Sequence, residues 1–209
     1  MILRIAATLA LLFGAAALLV YLQAIGRGPG ASLVSRHLRE MKERVDPPDS
    51  LRAVTAVEMD SLPTGWSVAE YSALERRGVS LEGYVQRMVR ASDGDVHLEI
   101  VATPRASGGP DTAYVTGEIT DRWRRRTPGL DWDRLASTFR PNHGSATPWI
   151  EGPRRVRVSG WLLFDFQNAQ RPSHYSRIHG ARLTGWEIHP VSRIERWNER
   201  AGRYEVVAP

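Results

Sequence analysis

Cysteine is absent from the 209 residues. That excludes disulfides, thiolate metal sites and a cysteine nucleophile. It leaves the compartment open, because a domain with a large enough core does without disulfides even in an oxidising space. Lysine is nearly absent too: Lys42 stands alone, so the basic charge is almost all arginine. With 28 basic and 23 acidic residues the formal net charge is +5. That excess permits an anionic polymer or lipid surface as partner without requiring one. The sequence also lacks a Gly-x-Ser-x-Gly elbow, a phosphate-cradling glycine loop and a His-Glu-x-x-His helix, the local strings that mark common hydrolases and nucleotide enzymes.

What the chain does have begins with an apolar run. From Ile5 to Leu22 only Thr8, Gly14 and Tyr21 interrupt Ala, Leu, Val, Ile and Phe, and Arg4 is the one charge before it. Eighteen to twenty helical residues span roughly 30 Å, the thickness of the hydrocarbon layer. A cleaved signal peptide and a retained anchor compete. Signal-peptide cores run about 7–15 residues and end in a small-x-small site. This run is longer, and the candidate site ending at Ala24 has the large Leu22 two positions before it, which favours the anchor. Arg4 and the amino terminus favour a cytoplasmic start, while Arg27, Arg36, Arg39 and Lys42 pull the other way. The short N-terminal tail places the following domain on the exported side.

Three segments follow from the pattern: an anchor or signal peptide over 1–25, a linker with an amphipathic helical arm over 26–78, and a β-rich domain over 79–209. Gly26, Gly28, Pro29 and Gly30 make a flexible exit. Ser32 caps a helix that carries Leu33, Val34, His37, Leu38 and Met41 on one side and ends near Val45. That face suits lipid headgroups, its own domain or a second copy of the chain. Ser67 and Glu70 stand at capping-box spacing and open a short helix through Leu74. Strands are expected over Val79–Val89, Val96–Val101 and Tyr114–Thr120, with the turn Ser92-Asp93-Gly94-Asp95 joining the first two. Loops are expected over Ser107–Asp111, Pro141–Pro153 and Asn168–Gly180. Leu130, Leu135, Ala136 and Phe139 mark a helix. A fourth strand runs from Val156 to Phe164 and a fifth from Thr184 to Trp197, with a short edge strand in the tail. Five strands with a helix between the third and fourth is the element order of the OB-fold, a Greek-key β-barrel. The expected fold is therefore mainly β, a small OB-fold-like barrel behind a transmembrane helix.

Several strings in this order carry a resemblance: Leu81-Glu82-Gly83-Tyr84-Val85, Asp95-Val96-His97-Leu98, Gly117-Glu118-Ile119-Thr120, Gly160-Trp161-Leu162-Leu163-Phe164-Asp165 and Trp186-Glu187-Ile188-His189-Pro190-Val191. Together they resemble a group of uncharacterised bacterial exported proteins with OB-fold-like domains and a "GWL-FD … WEIHP" signature. The resemblance covers roughly Val79 to Trp197. It implies an OB-like barrel and export from a bacterial cell, with the domain periplasmic or extracellular. It implies no activity. The group's domain carries a cysteine-containing segment after its first strand, which this chain lacks.

Period-two alternation sends Val96, Leu98, Ile100, Val115, Ile119, Trp186 and Ile188 inward. It sends His97, Glu99, Glu118, Glu187 and His189 to the other faces of their strands. Were His97, Glu118 and His189 to converge, two imidazoles and a carboxylate would suit a divalent metal and a nuclease-like hydrolase. The plainer alternative is that each histidine is hydrogen-bonded locally. Asp165 ends the fourth strand, where a turn cap is the simpler role. Arg122, Arg124, Arg125 and Arg126 surround Trp123, a basic and aromatic cluster able to hold single-stranded nucleic acid or to flank a tryptophan in the core. The reading that follows is a membrane-tethered, exported binding or scaffolding module with no catalysis and no cofactor. Its partners are the bilayer, through Ile5–Leu22, and a protein or an anionic polymer.

Overall fold

In the computed structural model the described residues are 2–24, 31–104, 113–128, 130–141, 149–166, 169 and 181–208. The expected exit at Gly26–Gly30, the loop at Ser107–Asp111 and most of those at Pro141–Pro153 and Asn168–Gly180 lie outside them. The chain falls into two compact units, Met1–Glu43 and Arg44–Pro209.

The first unit holds two helices. Helix α1 spans Ile2–Ala24, and Leu11, Phe13, Val20 and Tyr21 on it are exposed. Among the described residues no helix is long and apolar enough to cross a membrane. The transmembrane helix expected over Ile5–Leu22 is thus not found among the described residues. Helix α2 (Leu33–Lys42) is capped as its sequence predicts, with the Ser35 N–H donating to Ser32 Oγ at 3.0 Å.

The second unit begins well before Val79. Its elements are β1 (Arg52–Val54), α3 (Ala56–Asp60), α4 (Val68–Glu75), β2 (Gly78–Arg90), β3 (Val96–Val101), β4 (Ala113–Ile119), α5 (Asp121–Arg126), α6 (Trp132–Phe139), β5 (Trp149–Phe164), β6 (Ala181–Asn198) and β7 (Arg203–Ala208). The sheet runs β1-β2-β3-β4-β6-β5, β7 flanks β6, and β2 pairs with β5 to close the ring. Five strands thus form a closed barrel, β2-β3-β4-β6-β5. Only the β4–β6 pairing within it is parallel. This strand order, with α5 and α6 between the third and fourth barrel strands, makes the domain mainly β and OB-fold-like.

Residues 44–78 are part of this body and not a linker. Met59, Tyr71 and Leu74 belong to the barrel core. Helix α3 starts in a capping box that the sequence reading overlooked: the Thr55 N–H donates to Glu58 at 2.7 Å, and the Glu58 N–H to Thr55 Oγ1 at 3.1 Å. Ser67 and Glu70 cap α4 as expected. Tyr71 stacks on Phe164 with centroids 4.2 Å apart, and Trp186 packs edge-on against both. The Trp186 indole N–H reaches Pro63 O at 3.0 Å, so the largest core side chain buries its ring without orphaning its donor.

Closing a small barrel requires strands to bend, and here they bend at bulges and glycines. Strand β5 shifts register between Ser159 and Leu162 where it meets β6. At Gly160 an added Cβ would stand 2.2 Å from Pro190 O and 2.9 Å from the Ile188 side chain. The β6 backbone crosses there so closely that only glycine fits.

Candidate functional site

The alternation read from sequence puts Val96, Leu98, Ile100, Val115, Ile119, Trp186 and Ile188 in the core. The residues between them, however, are not left on an open surface. Glu99, Thr116, Glu118, Glu187 and His189 are buried as well. The outer face of β3-β4-β6 is therefore a second, polar layer, which must satisfy its groups internally.

It does so as one chain of contacts. Register sets His97 opposite Glu118 across β3 and β4, and Thr116 and Gly117 opposite Glu187 and Ile188 across β4 and β6. One step further along β4 brings Glu118 beside His189. His97 Nε2 lies 3.3 Å from Glu118 Oε1, and His189 Nδ1 lies 2.9 Å from Glu118 Oε2 and 3.0 Å from Glu187 Oε1. Arg182, at the start of β6, donates to Glu187 Oε2 at 2.9 Å, to Asp165 Oδ2 at 2.9 Å and to Thr116 Oγ1 at 3.1 Å. All five polar-face candidates, His97, Glu118, Glu187, His189 and Asp165, thus sit in one network. Asp165 is not a free-standing turn cap: its side chain is the deep end of that network, while the His97 side chain, 36% exposed, is the end nearest solvent.

Two members escaped the sequence reading. Arg182 falls between an expected loop and an expected strand, and nothing local distinguishes it from the other arginines. Asp95 reads as a turn residue, and it does close the turn, with the Ala91 N–H donating to Asp95 O at 2.8 Å. Yet its Oδ1 accepts from the Asp121 N–H at 2.7 Å. That bond holds the carboxylate over the end of β4, where Asp95, Glu118 and His189 place ligand atoms within 4.8 Å of one another.

The charges are strongly coupled. Burial opposes a charge on His189, but the Glu118 and Glu187 carboxylates outweigh it and hold its pKa up at about 9. Burial also opposes the Arg182 charge, and Glu187 and Asp165 overcome it, holding the guanidinium above the ordinary arginine value. Asp95 is pushed up by burial, with only the Asp121 N–H and His189 as notable restraints. Beside this network, Arg87 and Glu99 form a buried pair, and burial pushes Glu99 up despite its partner. His189 Nε2 is shut off from solvent and has no hydrogen-bond partner among the described residues.

The basic cluster resolves differently. Residues 121–126 are helix α5. Trp123 is buried in the core cluster, so its ring offers no stacking platform for a base. Arg124 binds Gly94 O and Asp121, and Arg125 binds Asp121. Arg124 and Arg125 thus pin helix α5, which Thr120 caps.

An open concavity lies on the outer face of β1-β2-β5-β6. This groove of about 860 Å³ has Ser80 and Ser159 on its floor, Leu51, Ala53 and Val54 along one wall and Arg157, Arg193, Glu82 and Glu195 along another. Its charges are paired: Arg157 with Glu82 at 2.8 Å and Arg193 with Glu195 at 3.1 Å.

No protein-family model matches the chain, and no curated protein matches it. Among solved structures it is similar to asparaginyl-tRNA synthetase of Entamoeba histolytica, at 11% identity and a TM-score of 0.32. The likeness covers 68% of this chain and 24% of that one. The same enzyme in complex with asparaginyl-adenylate gives 10% identity, the same TM-score and the same coverage. The chain spans about a quarter of the length of these structures. The barrel assignment rests on strand order and closure alone.

Proposed function

We propose that this chain is a binding module without catalysis, which takes an extended peptide segment of a protein partner into the groove beside β1. The groove carries the reading. It is open, its volume suits a ligand of several residues, and it joins hydroxyl hydrogen-bonding groups on the floor to an apolar wall. Strand β1 ends the sheet and forms that wall; an edge strand is a ready acceptor for an added strand. The alternative chemistry-bearing groups, His189, Glu118, Glu187, Asp165 and Arg182, engage one another inside the protein instead.

The module is tethered at a bacterial cell membrane, single-pass, with the barrel on the exported side. The apolar run Ile5–Leu22 and the exposed Leu11, Phe13, Val20 and Tyr21 support a bilayer as its partner.

Ala53 is exposed on β1, so Ala53→Trp fills the groove without entering the core. Full-length protein in detergent micelles is tested against an immobilised array of extended peptides. A selected peptide set whose affinity falls at least tenfold in A53W supports the reading. Failure to select any set, or equal affinity in the variant, refutes it.

A further inference from the structure

We propose that a second hollow, at the start of β2, binds a phosphate monoester. Its volume is about 320 Å³, and Arg52, Arg76, Arg77, Asp49 and Trp161 line it. That is the small end of the range for ligand sites. The proposal does not rest on the peptide reading, although Leu51 borders both concavities.

The three arginines arrive from different elements. Arg76 and Arg77 follow the last residue of α4, and Arg52 opens β1, where its pairing with Val79 sets it beside the start of β2. The ordinary task of arginines at a helix end is to meet the last carbonyls. Other groups do that here. The Arg44 guanidinium donates to Glu75 O at 2.7 Å, and the Arg77 backbone N–H donates to Leu74 O at 2.9 Å. The side chains of Arg76 and Arg77 are left over: both residues are exposed, and neither side chain has a hydrogen bond or ion pair among the described residues. Arg52 reaches Glu58 at 3.5 Å in an exposed pair, a contact weak enough to yield to a ligand.

The walls are fixed before a ligand arrives. A Cβ at Gly78 would stand 2.2 Å from Ser50 O and 2.3 Å from Pro48 Cβ, so residues 48–50 lie directly on the strand. The Trp161 indole N–H donates to Asp46 O at 2.7 Å, and the Arg44 guanidinium lies over its ring at 4.9 Å. A preformed cradle spares the cost of ordering on binding. Charge then selects the ligand class. Three arginines less Asp49 leave two positive charges in the lining. A phosphate monoester carries about −1.5 to −2 at pH 7 and three acceptor oxygens, and guanidinium forks match phosphate oxygens in pairs. A carboxylate would leave half of that charge unmet. A soluble phosphate ester and a lipid headgroup that ends in a phosphate monoester present the same group.

The test is isothermal titration calorimetry on the full-length protein in an uncharged detergent. One arm adds glycerol 3-phosphate and a second adds micelles containing phosphatidic acid, with acetate and phosphatidylcholine micelles as controls. One bound equivalent is expected in at least one of the first two arms, and the arm that binds identifies the source. Arg76 and Arg77 are exposed, so R76Q/R77Q is expected to keep the parent Tm and to bind at least tenfold more weakly. Arg52→Gln is expected to weaken binding in the same direction. Arg200→Gln combined with Arg203→Gln removes the same charge from the tail and is expected to bind as the parent does. Absence of binding of both phosphate probes by the parent chain up to about 10 mM would overturn the proposal. So would equal affinity for acetate, unchanged affinity in R52Q and R76Q/R77Q alike, or an equally large loss in the tail variant.

Discussion

Replacing Arg182 by Met removes a guanidinium that joins two nearly inaccessible carboxylates. The side chains of Asp165 and Glu187 are 1% and 0% exposed, each 2.9 Å from an Arg182 nitrogen, and Thr116 supplies a third contact. Met fills much of the arginine stem's volume, so the loss is chiefly electrostatic. Breaking a buried ion pair from one side costs about 3–5 kcal/mol, because the remaining charge keeps its desolvation penalty and loses its compensation. In a body of this size that corresponds to a Tm lower by roughly 10 °C. The same reasoning requires rescue. Adding Asp165→Asn and Glu187→Gln removes the stranded charges and should recover most of the loss, since neutral, well-packed replacements of buried ionic groups are often tolerated. The assay is urea and thermal unfolding of the full-length protein in detergent, followed by tryptophan fluorescence, with the buried Trp186 as the main reporter. The coupling is read from the complete set of single and combined variants. A cost below about 1 kcal/mol for R182M alone, or a triple variant no more stable than R182M, would refute the claim that this network is held by charge pairing.

Two further predictions rest on other parts of the barrel. Tyr114 is pushed up to about 12, first by burial and then by the nearby Glu99 carboxylate. Between pH 10 and 12 the unfolded chain sheds this proton and the native chain keeps it, so stability is intact below 10 and falls by about 2–3 kcal/mol as pH rises through the folded value. Absorbance titration at 295 nm should show two late-ionising tyrosines, Tyr114 and Tyr204, and Tyr114→Phe should remove one of them; a late component that Tyr114→Phe leaves undiminished would contradict the burial argument. Gly160→Ala forces a methyl group to within 2.2 Å of Pro190 O and should cost at least about 2 kcal/mol, measured by the same unfolding assay. An unchanged midpoint would mean that β5 and β6 can separate at their crossing.

Much of the barrel is legible in the chain because its signals are local. Alternation marks each strand's two faces, as in Trp186-Glu187-Ile188-His189, where the first and third side chains join the core. Capping at Ser32 and Ser67 and the Asp93-Gly94 turn need only residues within four positions of each other. Strand ends were less legible: β5 begins at Trp149, inside a segment whose glycine and prolines read as loop, because pairing with Arg87 of β2 overrides local preference.

By itself, then, the sequence determined which side chains are apolar, which alternate, where helices start, and that His97, Glu118, Glu187 and His189 share the side of the strands away from the core. The tertiary structure decided everything that depends on which strands become neighbours. The parallel pairing of β4 with β6 joins residues about seventy positions apart, and no local period encodes it. That pairing set Glu118 between two histidines, brought Asp95 to the same end of the barrel through its bond to Asp121, and drew Arg182 onto Asp165 and Glu187. Burial of the second face followed from the same packing. Long-range contact of this kind is selected by the summed free energy of closing the barrel, to which no single stretch of residues holds the key.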